Sequence, residues 1–147
     1  MDEFEERQSI VEEAKTWLGT PFHHEAHVKG AGVDCGTLIA EVFERAGLIP
    51  HVDIPHYTRD FMLHRDEEWY LSLVLEYFNE IATNLLPGDI VLMKNGRLFS
   101  HGMIVVNYPL VIHASSTDKI VIYADISMLP LSGREMRCFR LKGFCNG

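Results

Sequence analysis

Three stretches in the first half of the chain repeat their apolar residues every three or four positions, whereas the second half carries them in short runs. Ile10, Val11, Ala14, Trp17 and Leu18 share one helical face while Glu5, Glu6, Glu12, Glu13 and Lys15 lie elsewhere, which predicts a helix over about 2–18 ended by Gly19. Leu38, Ile39, Val42, Phe43 and Ala46 make a second stripe, with Gly47 just past its end. Tyr70, Val74, Tyr77, Phe78 and Ile81 make a third, predicted to run from Asp66 to about Ala82 with Trp69 off the stripe. Between the last two, residues 48–65 contain the breakers Pro50 and Pro55 and read as a long irregular connection bearing His51, His56 and His64.

After the turn Leu86-Pro87-Gly88-Asp89, the run Ile90-Val91-Leu92-Met93 suits a central strand, and Asn95-Gly96 predicts a tight hairpin returning through Leu98 to Val106. Further strands are expected at about 110–114, 119–124 and 136–142. Helices first and strands afterwards predict an α+β domain, N-terminal helices on a roughly five-stranded antiparallel sheet, and exclude alternating βαβ units. At 147 residues the chain suits a single domain over 1–147.

Charge narrows the partners. A formal charge of −8 argues against nucleic acid and against an anionic membrane surface. The acidic start, Met1-Asp2-Glu3-Phe4-Glu5-Glu6, has no signal-peptide pattern, and no run is long enough to span a bilayer. Synthesis in the cytoplasm is therefore expected, with a virion or cell lysis as the route to any target outside. Three widely spaced cysteines do not make a disulfide framework, and Cys138 and Cys145 read as free thiols. His23, His24 and His27 cluster, but Thr20-Pro21 and Lys29-Gly30-Ala31-Gly32 around them indicate loop and no HExxH is present, so neither a metal nor a cofactor is expected.

The candidate chemistry centres on Cys35. Gly30 and Gly32 let the incoming loop turn tightly, Asp34 suits an N-cap, and Cys35 then falls in the first turn of a helix. Unpaired backbone N–H groups and the helix dipole there favour a thiolate, the setting of a nucleophile. The alternative is a small buried side chain that only packs. His101 opens the run Ser100-His101-Gly102-Met103-Ile104-Val105-Val106 and His113 ends Val111-Ile112-His113-Ala114. An antiparallel pair joined through Asn107-Tyr108-Pro109 would bring the two rings together, one as base and one as its orienting partner. Each histidine alone is better explained as a satisfied core or strand-end residue; the three residues together, in the order nucleophile, base and orienter, favour the catalytic reading. Phe22, His23 and His24, in the loop before the cysteine, are candidates for a cleft wall, though core packing explains Phe22 as well.

These residues resemble the NlpC-type cysteine peptidases of bacteria and their phages, which have a compact papain-like fold. The resemblance spans nearly the whole chain and rests on Gly19-Thr20-Pro21-Phe22, Asp34-Cys35, Leu86-Pro87-Gly88-Asp89-Ile90, Ser100-His101-Gly102 and Ile112-His113-Ala114 in that order. Ile54-Pro55-His56-Tyr57 and the helix after it look more like the versions encoded beside phage tail genes. The resemblance implies hydrolysis of an amide in the peptide stem of peptidoglycan, typically after a D-glutamyl residue, with phage tail proteins as further partners. It also implies roles for single residues: Cys35 as nucleophile, His101 as general base, His113 as orienting residue, and Phe22, Asp34, Gly36 and Ser100 around the substrate. Family members often have tyrosine where this chain has Phe22, and Ser-Gly where it has Gly36-Thr37; the first change removes a hydroxyl that could serve the oxyanion. A non-catalytic tail or assembly component of the same fold, and a thiol acyltransferase or amidase acting on a non-wall substrate, are the alternatives.

Overall fold

The computed structural model describes residues 1–54, 67–82, 84–95 and 98–145. Pro55, His56, Tyr57, His64, Asp66 and Gly96, and the side chain of Trp69, lie outside the described residues, and so do the expectations placed on them.

Helix α1 (Glu3–Lys15) begins where Asp2 caps it, a carboxylate oxygen accepting the Glu5 N–H at 2.8 Å, and Glu3, Glu5 and Glu6 place negative charge against the dipole. It buries Ile10, Val11 and Ala14. It is shorter than its apolar period suggests: Thr16 caps it, and a tight turn carries buried Trp17 to Gly19, at φ +87°. The following loop contains a two-residue ribbon, β1 (His27–Val28) paired with β2 (Gly32–Val33). Helix α2 (Cys35–Arg45) is capped by Asp34, which accepts the N–H groups of Gly36 and Thr37, while the Thr37 hydroxyl accepts the Asp34 N–H at 2.9 Å. Gly47, at φ +78°, turns the chain away after it.

Helix α3 spans Glu67–Tyr77, and here the expected helix to Ala82 is corrected. Phe78–Ile81 is a strand, β3, paired with β8 (Met136–Leu141) from Phe78–Leu141 to Ile81–Cys138. Buried Phe78 fits either period, and the free edge of β8 decides between them, a tertiary preference that local pattern does not carry. Phe78 then stands edge-on to Phe43 of α2 at 5.0 Å between ring centroids.

The remaining strands are β4 (Ile90–Asn95), β5 (Leu98–Asn107), β6 (Leu110–Ser115) and β7 (Ile120–Asp125). With β3 and β8 they form one antiparallel sheet of six strands in the order β3-β8-β4-β5-β6-β7, so the expected α+β papain-like architecture stands with one added edge strand. Alternation sorts its faces: Ile90, Leu92 and Ile104 pack toward the helices, Val91, Met93 and Met103 away from them.

One buried charge cluster ties the layers together. Asp89, fully buried at the start of β4, accepts the Leu86 N–H at 2.8 Å, Arg7 of α1 at 2.9 Å and Arg140 of β8 at 2.9 Å. The turn that reads in sequence as punctuation is therefore an anchor between the first helix and the last strand.

Candidate active site

The Asp34 cap determines where the thiol sits. One carboxylate oxygen holds the Gly36 and Thr37 N–H groups at 3.0 and 2.9 Å, and the other takes the Glu25 N–H at 2.8 Å, so Asp34 fastens the loop to the helix start. Cys35 is thereby the first helical residue and points at β5. Pairing of β5 with β6 runs from Asn107–Leu110 through Val105–Val111 to Ile104–Ile112; among the described residues it goes no further toward Ser100. In the gap that opens, the Cys35 thiol donates to the Ser100 carbonyl at 3.4 Å and takes a hydrogen bond from the Gly102 N–H. The sulfur thus fills the place of an absent strand partner.

His101, between those two residues, lines the same cavity as Cys35, and its Nε2 lies 2.7 Å from Nδ1 of His113. His113 is 5% exposed and stands behind His101, off the cavity wall. Cys35 and His101 thus border one cavity, and His101 in turn meets His113.

The cavity has a volume of about 590 Å³. Phe22, Asp34, Gly36 and Ser100, the other residues read from sequence, all line it, as do His23 and His24. Ser116 and Lys119 add polar groups near the mouth, while Ile49, Val52, Ile54, Leu73 and Val74 make an apolar wall. Sequence reasoning missed Ser116, Lys119 and, above all, Tyr70 of α3. A helical apolar stripe has the same appearance whether it faces a core or a cavity. His23, His24 and His27 form no metal set: no cluster of three or more such ligands is present among the described residues.

The electrostatics correct one expectation. Burial, then the charge of Asp34, pushes the Cys35 thiol up to about 12, although the N–H groups of Gly102, Gly36 and Cys35 itself act the other way. The helix start does not by itself produce a thiolate. Burial first, then His113 and Arg134, holds the His101 imidazole down to about 3, and burial also lowers His113 against the opposing pull of Asp118. These shifts favour the uncharged forms, a thiol at Cys35 and an imidazole at His101.

Comparison with known proteins follows the geometry. The chain resembles NlpC2 from Trichomonas vaginalis at 20% identity and a TM-score of 0.65, covering 95% of this chain and 48% of that one. It thus spans under half the length of that relative. An N-acetylmuramoyl-L-alanine amidase from Bacteroides uniformis matches at 14% identity and 0.65, covering 94% and 99%. The peptidoglycan hydrolase RipB from Mycobacterium tuberculosis matches at 14% and 0.64, covering 93% and 65%. At these identities the likeness establishes the fold alone. No curated protein matches the chain in sequence. The NlpC/P60 family profile, however, matches residues 19–137, from the turn before the cysteine loop into the last strand, and the chain belongs to the NlpC/P60 family.

Proposed function

We propose that this chain is a cysteine hydrolase that cleaves an amide in the peptide stem of peptidoglycan, of the D-glutamyl endopeptidase type. The observation that carries it is the line Cys35, His101, His113: a thiol and an imidazole on one cavity, with the imidazole tethered from behind at 2.7 Å. Family membership supports the chemistry, and the peptidoglycan hydrolases and amidase among the structural relatives support the substrate.

This reading takes the tautomer of the His101–His113 pair in which His101 is the donor. Nε2 of His101 carries hydrogen and donates to Nδ1 of His113, which leaves Nδ1 of His101 bare to accept a proton. The thiol held high and the imidazole held low disfavour a standing ion pair between them. The proton passes from sulfur to His101 as the new S–C bond forms, so no free buried thiolate builds up and the charges that appear are the imidazolium and the oxyanion. The tetrahedral oxyanion is met by the Cys35 N–H at the start of α2, a kind of interaction worth about 3 kcal/mol per donor. The amine leaves with the proton from His101, and water repeats the sequence on the thioester.

Purified sacculi and isolated stem peptides incubated with wild type and with Cys35→Ala test this directly. New amine released by wild type alone is expected; none from either protein would favour a non-catalytic assembly role. Association with a phage or prophage, including its tail proteins, belongs to the same proposal. It rests on the likeness of Ile54-Pro55-His56-Tyr57 to phage-encoded versions, and recovery of the chain in purified virions would establish it.

A second reading has its own observation. The wall of Ile49, Val52, Leu73 and Val74 suits an apolar acyl group better than a charged stem, which favours a thiol acyltransferase on a non-wall substrate. Product carried onto an added amine such as glycinamide, from an acyl donor that sacculi do not contain, would select it.

A further inference from the structure

Tyr70 reads in sequence as one more position of an apolar stripe, yet its phenol borders the cavity that Cys35 lines. It is 9% exposed and lines the cavity with Cys35 and His101. Two glycines make the approach possible. A Cβ at Gly36 would lie 3.2 Å from Cε2 of the Tyr70 ring, and one at Gly102 would lie 2.9 Å from the hydroxyl oxygen and 2.5 Å from Cδ1 of Ile39. Gly36 directly follows Cys35; Gly102 directly follows His101, and its N–H is bonded to the sulfur. The hydroxyl thus occupies the space that a side chain at 102 would take, on the cavity that Cys35 and His101 also line.

We propose that the Tyr70 hydroxyl is a donor of the oxyanion hole, supplying from α3 the hydrogen bond that Phe22 has no group to make. This rests on the reading of Cys35 as nucleophile. As sulfur attacks, its electron pair forms the S–C bond, the π pair of the carbonyl moves to oxygen, and the thiol proton goes to His101. Tyr70 hydrogen-bonds that oxygen and keeps its own proton. Collapse returns the pair to the carbonyl and breaks the C–N bond, and the leaving amine takes the proton held by His101. Burial holds the phenol well above its usual range, so it remains a donor throughout.

The test separates the oxyanion from the thiol. N-acetylglycinal, a small aldehyde, adds reversibly to a nucleophilic cysteine and puts an oxygen where the tetrahedral intermediate has its own. Iodoacetamide reacts with the same sulfur and develops no such oxygen. Tyr70→Phe is expected to weaken the aldehyde adduct by about tenfold or more, while the rate of Cys35 alkylation changes by less than about twofold. Equal adduct affinity in wild type and Tyr70→Phe overturns the proposal and leaves the nucleophile standing. A parallel fall in adduct affinity and alkylation rate overturns it too, because it marks a displaced thiol. No adduct on wild type overturns the nucleophile reading, and this inference with it.

Discussion

The rings of His101 and His113 stand at 85° to each other, with Nε2 of the first 2.7 Å from Nδ1 of the second. With His101 as donor in that pair, as the proposed mechanism has it, its other nitrogen is the one that accepts a proton. His101→Ala is expected to lower turnover by about 10²–10⁴-fold, the span of a positioned general base. His113→Ala should cost less, because it loosens the ring without removing the acceptor. Steady-state rates on the same substrate decide the order, and an unchanged rate for His101→Ala would take it out of the mechanism.

Acid should loosen the fold through the same pair. His101 is lowered from 6.5 to about 3 in the folded chain, so the unfolded chain binds its proton first as pH falls. Its contribution is intact above pH 6.5 and is lost progressively between 6.5 and about 3. Urea unfolding across that window should show stability falling with pH, and a shallower slope in His101→Phe.

The thiol predicts its own reactivity. With Cys35 pushed up to about 12, little thiolate is expected at pH 8, and alkylation by iodoacetamide should lag behind that of exposed Cys145. The rate at Cys35 should continue to climb through pH 10. Mass-spectrometric mapping of the labelled cysteines gives both rates at once; preferential labelling of Cys35 below pH 8 would contradict the neutral pair.

Asp89→Ala should be the most damaging substitution away from the site. It leaves Arg140 and Arg7, with side chains 2% and 7% exposed, facing each other without their carboxylate. Loss of one partner from a buried ion pair costs about 3–5 kcal/mol. Chemical denaturation measures it, and a change under 1 kcal/mol would mean that the two guanidinium groups find other acceptors.

How far the sequence leads depends on distance along the chain. The Asp34 cap, the Cys35 helix and the β5–β6 pair are local, each readable from a few adjacent residues, and each is present. The meeting of His101 with His113 was legible because a short connection leaves an antiparallel pair little choice. Strand β3 was not, since Phe78 and Ile81 satisfy a helical stripe and only β8, some sixty residues away, makes them extended. Arg7 and Arg140 carry no sign in sequence of their shared partner. The same holds for Tyr70, whose hydroxyl meets Gly102 only after α3 is laid over β5. The raised thiol was missed for another reason: a helix start favours the anion, but the depth of burial that outweighs it belongs to the whole fold.

Where β6 leaves β5, a side chain does the work of a backbone, and this affects how Cys35 can be probed. Alanine at position 35 deletes the reactive atom and also strands the Ser100 carbonyl and the Gly102 amide, whereas serine retains a donor and acceptor for both. The alanine protein should melt earlier than the serine protein, by a margin of about 1–2 kcal/mol. An inactive enzyme made by alanine is therefore a slightly different scaffold, and serine is the more faithful silent copy.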